Sequence, residues 1–157
     1  MTLKIRPLFD ADIDEVYAIE GTVHITPWSR EIIRDCVMVG YDCQVLEFYE
    51  KNKEKARIVG YSISRHHEQG YHILNICIAK NMQAKGWGKQ FLRSLLDSLE
   101  KDNNVAYVVL EVRMSNIPAL RLYEGMGFKH IEIKKDYYKD INSKEDAIVL
   151  KKYLNKP

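Results

Sequence analysis

The stretch from Ile78 to Lys89, Ile-Ala-Lys-Asn-Met-Gln-Ala-Lys-Gly-Trp-Gly-Lys, joins two segments of different hydrophobic period. Upstream, Tyr71 to Ile78 is rich in β-branched and aromatic residues and follows Gly70, the composition of a strand. Downstream, Phe91, Leu92, Leu95, Leu96 and Leu99 recur at the i, i+3, i+4 spacing of a helix with one buried face. Gly86 and Gly88 lie between them, where the chain must turn and the first N–H groups of the helix have no partner within it. Such groups, together with the helix dipole, favour an anion, so a strand feeding Gln-x-x-Gly-x-Gly into a helix is a seat for a phosphate. The alternative is a glycine turn that holds no ligand.

Two phosphate loops are excluded by counting. A Walker loop needs Gly where Gln83 stands and Ser or Thr where Gln90 stands, and a dinucleotide fingerprint needs Gly at Phe91. What is left resembles the pyrophosphate loop of the GNAT superfamily of N-acetyltransferases, Gln/Arg-x-x-Gly-x-Gly/Ala after a strand. That resemblance implies acetyl-CoA as co-substrate, with its pyrophosphate on the loop Gln83, Ala84, Lys85, Gly86, Trp87, Gly88 and Lys89. A pantetheine arm carries two amides, which would pair with Ile76, Cys77 and Ile78 as an added strand does.

The length, 157 residues with 46% hydrophobic, suits one domain with a sizeable core and leaves no room for a second. Charges nearly cancel, with a formal net of +2, so no global field draws the chain to nucleic acid or membrane. The N-terminus enters a strand-like pattern at once, without the apolar core of a signal peptide, and no apolar run approaches a membrane span. These features predict a cytoplasmic protein. Cys36, Cys43 and Cys77 are odd in number and set among apolar residues, as reduced buried thiols are. No Cys/His spacing resembles a zinc site, so no metal is expected. His66 and His67, adjacent at a strand end, would point in opposite directions and read as solvated.

A first strand around Leu3 and Ile5 ends at Pro7, and Asp10 opens a helix through Ile13, Val16, Tyr17 and Ile19 that ends near Gly21. After a loop with His24 and Pro27, Ser29 caps a second helix running to Gly40. Strands follow at Gln44 to Tyr49 and Ile58 to Ser64, joined by a charged tip from Glu50 to Arg57, and a turn at Glu68-Gln69-Gly70 leads into the third. Beyond the long helix come a strand from Tyr107 to Arg113, a short helix capped at Ser115-Asn116 with Pro118 in its first turn, and Gly127 just past its end. A strand from Lys129 to Lys135, a loop through Tyr137, Tyr138 and Asn142, and a strand from Ala147 to Tyr153 complete the chain. The order βααβββαβαββ predicts an α/β fold: a mixed, mostly antiparallel sheet with helices on both faces, the fourth and fifth strands splayed and parallel because a helix joins them.

Within that scheme Glu111 is a carboxylate in mid-strand. Val108, Leu110 and Val112 alternate on one face, which leaves Tyr107, Val109, Glu111 and Arg113 on the other. Desolvation there would raise its pKa, as suits a general base; the alternative is an ion pair with Arg113. Tyr123 carries a hydroxyl able to return a proton to a leaving thiolate, or is simply core. Asn116 holds a pantetheine or only caps its helix, and Trp28 is a wall of a substrate entrance or a core residue at a helix start.

A closer resemblance covers nearly the whole chain. Glu111-Val112-Arg113-Met114-Ser115-Asn116, Leu122-Tyr123, Gly127-Phe128, Tyr137-Tyr138 and Glu145-Asp146-Ala147 are similar to the N-terminal protein acetyltransferases. His24-x-x-Pro27-Trp28-Ser29 is similar to the RimI type among them, which act on the N-terminal alanine of a ribosomal protein. The resemblance implies Glu111 as proton acceptor, Tyr123 as proton donor, Asn116 on acetyl-CoA, and Tyr137 and Tyr138 along a peptide groove, with a protein N-terminus as substrate. Gln83-Ala84-Lys85-Gly86 departs from the family's Gln-Arg-Arg-Gly by one cation, which predicts weaker cofactor affinity with function retained. The sequence leaves four readings open: an N-terminal acetyltransferase, a transferase to lysine or a small amine, an acyl-CoA-binding partner subunit without turnover, and a phosphate-binding module unrelated to CoA. It does not address the oligomeric state or an auxiliary subunit.

Overall fold

The computed structural model describes residues 2–51, 55–83 and 85–155. Its strands are β1 (Thr2–Pro7), β2 (Asp42–Tyr49), β3 (Arg57–His67), β4 (Gly70–Ile78), β5 (Tyr107–Arg113), β6 (Lys129–Lys139) and β7 (Lys144–Tyr153), and its helices α1 (Ile13–Val23), α2 (Arg30–Met38), α3 (Trp87–Glu100) and α4 (Ile117–Gly125). Among the described residues one seven-stranded sheet has the order β1-β2-β3-β4-β5-β7-β6. β1 with β2, β2 with β3, β5 with β7 and β6 with β7 are antiparallel, and β4 with β5 is parallel, as the crossover through α3 requires. The parallel ladder is short: it ends at Ile73↔Leu110, whereas β4 continues to Ile78 and β5 to Arg113. This is the mixed, mostly antiparallel sheet predicted from the element order.

Two compact units divide the chain, one built from residues up to Arg65 with Asn75–Leu92, the other from His66–Leu74 with residues from Arg93 on. In the first, Leu46, Phe48, Val59, Met82 and Phe91 form a buried cluster against which Leu3, Ile5, Ile76, Ile78 and Trp87 pack. The start of α1 is tied to the sheet by Arg6, which donates to Asp12 at 2.7 and 2.9 Å and to Glu47 at 2.7 Å. In the second unit β5 alternates as expected, with Val108, Leu110 and Val112 buried and the residues between them half-buried. Asn116 caps α4 by accepting from the Ala119 N–H at 3.3 Å, and Gly127 takes φ +97 beyond its end.

Several boundaries differ from the sequence pattern. α1 passes Gly21 and stops at Val23, because the His24 N–H still reaches the Glu20 carbonyl at 3.2 Å. Its buried face is Ile13, Val16 and Glu20, while Tyr17 is exposed; a carboxylate occupies the place that periodicity gave to an aromatic ring. β3 runs on to His67 and β7 begins at Lys144 rather than Ala147. Tyr137 and Tyr138 lie in β6, not in a loop. The register shifts between Lys134 and Tyr138, Asp136 takes φ +53, and its N–H is held by Asp146 Oδ1 at 2.8 Å. The alternation of Ile131 and Ile133 stops at this bulge, so the rest of the exposed edge strand has no apolar pattern to read.

Two glycines should respond with opposite signs to alanine. At Gly60 an added Cβ would meet the Cys77 carbonyl oxygen at 2.8 Å and Ile78 Cδ1 at 2.7 Å, whereas at Gly21, inside α1, it would meet nothing within 4 Å. Gly60→Ala is expected to cost about 1 to 3 kcal/mol. Gly21→Ala is expected to gain about 0.5 to 1 kcal/mol, both read from urea unfolding.

Candidate active site

The bend between β4 and α3 is braced from its own sequence. The Gln83 side-chain amide donates to the Ile78 carbonyl at 2.9 Å, the Met82 N–H to Ala79 at 2.8 Å, and the Gln90 N–H to the Gly86 carbonyl at 3.1 Å. Gln83 therefore shapes the bend with its side chain. Trp87 packs its ring against the buried cluster, 5.1 Å from that of Phe48, with Lys85 Nζ 5.6 Å from its centre. Gly86 sits at φ +78, a conformation that a side chain resists. Gly88 does not: its backbone is ordinary, and a Cβ there would make van der Waals contact with Ile78 Cγ1 at 3.5 Å. The fold thus demands glycine at 86 but not at 88. Ala84 lies outside the described residues. Ile76, Cys77 and Ile78 fall in the part of β4 beyond the ladder with β5. The Cys77 thiol is buried, and burial pushes it up to about 12, so it is no thiolate at neutral pH.

In the second unit Glu111 is 10% exposed at its side chain and has partners on both oxygens. His72 Nε2, from β4, lies 2.6 Å from Oε2, and Lys134 Nζ, from β6, donates to Oε1 at 3.3 Å. Burial is the largest single influence on this carboxyl and raises its pKa, but the bonds and charges of His72 and Lys134 together outweigh it, so it is held below its ordinary 4.5. The expected upward shift is thereby overturned. The alternative, an ion pair with Arg113, is not formed either: its guanidinium bonds Asp140 at 2.9 and 3.1 Å and Glu145 at 3.1 Å and lies 4.3 Å from the centre of the Tyr138 ring. Glu145 also accepts the Ser115 N–H at 2.7 Å, and the Met114 N–H bonds the Asp146 carbonyl at 3.1 Å. The Glu145-Asp146 pair thus fixes the end of β5 and, through Asp136, the β6 bulge.

That bulge presents the two tyrosines edge to face, 5.1 Å apart, with Lys134 Nζ 5.2 Å from the Tyr137 ring. Tyr137 is exposed; Tyr138 is half-buried and its phenol is pushed up to about 12, by burial first, so it remains a donor. Tyr123 on α4 is buried, with its ring edge-on to Phe128 at 5.7 Å. Asn116 is exposed, and its side-chain oxygen is the helix cap.

Sequence reasoning missed the polar centre of the first unit. Glu20, 1% exposed, accepts from the Tyr61 hydroxyl, from Asn75 Nδ2 at 2.7 Å and from the Trp28 N–H at 2.9 Å. His24 Nε2 stands 3.4 Å from the same carboxylate, without the angle for a hydrogen bond. Trp28, half-buried, is therefore held by its backbone through a buried acid. The available signal was position: Glu20 follows Val16 by four residues and Ile13 by seven on the apolar face.

The family model for acetyltransferases of the GNAT family matches residues 13–128. The chain belongs to that family. It is an enzyme of acetyl transfer, and its relatives extend over almost its whole length. It is 32% identical over 146 residues to the [ribosomal protein bS18]-alanine N-acetyltransferase of Escherichia coli K12, covering 93% of this chain and 94% of that one. It is 34% identical over 144 residues to the protein of the same name from Haemophilus influenzae, covering 91% and 93%. The crystal structure of the ribosomal-protein-S18-alanine N-acetyltransferase from Escherichia coli superposes with a TM-score of 0.86 at 29% identity, covering 99% of this chain and 96% of that one. Among the described residues of this GNAT enzyme, no three His, Cys, Asp or Glu side chains cluster so as to hold a metal ion, and no helix is long and apolar enough to cross a membrane.

The depressed pKa of Glu111 makes a prediction for stability. With the folded value below the unfolded one, the unfolded chain binds the proton more tightly, so this group stabilises the fold above 4.5 and the stabilisation is lost as pH falls through the folded value. Urea unfolding of the wild type is expected to lose stability more steeply below that pH than Glu111→Gln does.

Proposed function

We propose that this enzyme transfers the acetyl group of acetyl-CoA to the α-amine of a protein N-terminus, in the cytoplasm, the acceptor being the N-terminal alanine of a bS18-type ribosomal protein. The observation that carries the reading is the one-third identity, over more than nine tenths of both chains, to enzymes named for that reaction. The backbone N–H groups from Lys85 to Lys89, bared at the bend and aided by the helix dipole, are assigned to the pyrophosphate. Ile76, Cys77, Ile78 and the side-chain amide of Asn116 are assigned to the pantetheine arm, and Trp28, Tyr137 and Tyr138 to the peptide.

Glu111 is assigned as the base and Tyr123 as the acid. The acceptor ammonium loses one proton to the Glu111 carboxylate, the electron pair so freed forms the new bond to the acetyl carbon as the C=O π pair moves onto oxygen, and the nitrogen sheds its second proton to solvent as that pair returns. The C–S bond then breaks and the thiolate takes the proton of the Tyr123 phenol. A carboxylate held below 4.5 is a weak base, which suits an α-amine of pKa about 7.7 to 8.0 better than a lysine of about 10.4.

A peptide panel with labelled acetyl-CoA tests the assignment. A bS18-type peptide beginning with alanine is expected to be acetylated on its α-amine, and the same peptide with a blocked N-terminus and an internal lysine is not. Acetylation of polyamines alone would refute the reading. Glu111→Gln is expected to lower kcat by about a hundredfold or more, with thermal stabilisation by acetyl-CoA preserved. Tyr123→Phe is expected to lower kcat with the same preservation.

A further inference from the structure

Glu111 is held by two groups of different character. Lys134 reaches it on a long, flexible stem and is 39% exposed. His72 is 19% exposed, reaches Oε2 at the shorter distance of 2.6 Å, and has a ring set by only two torsions. The backbone fixes it further: His72 faces Val109 in the parallel ladder, on the side of β5 that carries Glu111 two residues later, one pair before that ladder ends. In either form of the ring an Nε2–H can donate to a carboxylate oxygen, and a bond this short to an ionised acceptor is among the stronger kinds.

The geometry points to His72 as the positioning residue of the base, donating Nε2–H to Glu111 Oε2 so that the carboxylate keeps one orientation while its remaining lone pairs take the proton of the acceptor. The inference rests on the reading of Glu111 as the base. In the step itself the acceptor N–H bond breaks, the electron pair stays with nitrogen for the bond to the acetyl carbon, and the proton bonds to Glu111. His72 keeps its own proton throughout. Its work is to remove the rotational freedom of a group whose other cation, a surface lysine, can leave. Misplacement of a reacting group by about 1 Å can cost on the order of a hundredfold in rate.

Full-length enzyme, acetyl-CoA and an alanine-initiated bS18-type peptide test this with four variants. His72→Ala is expected to lower kcat on the order of tenfold to a hundredfold, with peptide KM and thermal stabilisation by acetyl-CoA unchanged. His72→Gln retains an N–H donor without an ionisable ring and is expected to recover to within about fivefold of wild type, since a donor to an ionised carboxylate remains charge-assisted. In the Glu111→Gln background, His72→Ala is expected to add no further loss, because the group it positions is gone. Equal losses for His72→Ala and His72→Gln would overturn the inference, as would an unchanged kcat in His72→Ala or an undiminished loss in the Glu111→Gln background. Wild-type kcat in Glu111→Gln alone would instead overturn the reading of Glu111 itself.

Discussion

A carboxylate in the middle of a strand, its side chain nine tenths covered, is costly unless charge and hydrogen bonds meet it there, since an unpaired buried ion loses several kcal/mol of hydration. Glu111 is met twice, by His72 across the parallel ladder and by Lys134 from the edge strand. The chemistry follows from that compensation. The carboxyl is ionised at neutral pH and oriented, yet it is a weaker base than a desolvated carboxyl with no cations beside it would be. In its proposed role as base, such a carboxylate matches an acceptor that surrenders its proton readily, as the α-amine does among protein amines.

The surrounding motif residues act mainly as scaffolding for this group and for the strand that bears it. Arg113, which lies on the same face, is drawn away by Asp140 and Glu145 and so does not compete for Glu111. Asp146 fixes the bulge from which Tyr137 and Tyr138 project. In the first unit Glu20 gathers Tyr61, Asn75 and the Trp28 backbone, so a loop with little regular structure has one defined path.

Much of the architecture was legible because its signals are local. Alternation gave β5 to the residue, Ser29 and Asn116 capped the helices they were expected to cap, and a helix between β4 and β5 required them to be parallel. What escaped depends on partners distant in sequence. The pKa of Glu111 moved opposite to expectation because His72, 39 residues away, and Lys134, 23 residues away, could not be paired with it from pattern alone. β6 was cut short because a bulge ends the alternation of that edge strand, and α1 overran Gly21 because one glycine does not end a helix whose hydrogen bonds continue. At the bend, the sequence could not distinguish its two glycines. Only the backbone reveals that Gly86 answers to conformation and Gly88 does not.

The central claim is that one coenzyme is gripped by bare backbone at the start of α3 while its acetyl group is delivered to an amine deprotonated by Glu111. A crystal structure with a conjugate of coenzyme A joined through an acetyl bridge to an alanine-initiated peptide measures this directly. The account predicts the diphosphate within hydrogen-bond distance of the N–H groups of residues 85–89 and the alanine nitrogen within reach of the Glu111 carboxylate, directly or through one water. A conjugate bound with its diphosphate elsewhere, or with Glu111 turned from the alanine nitrogen, would contradict it.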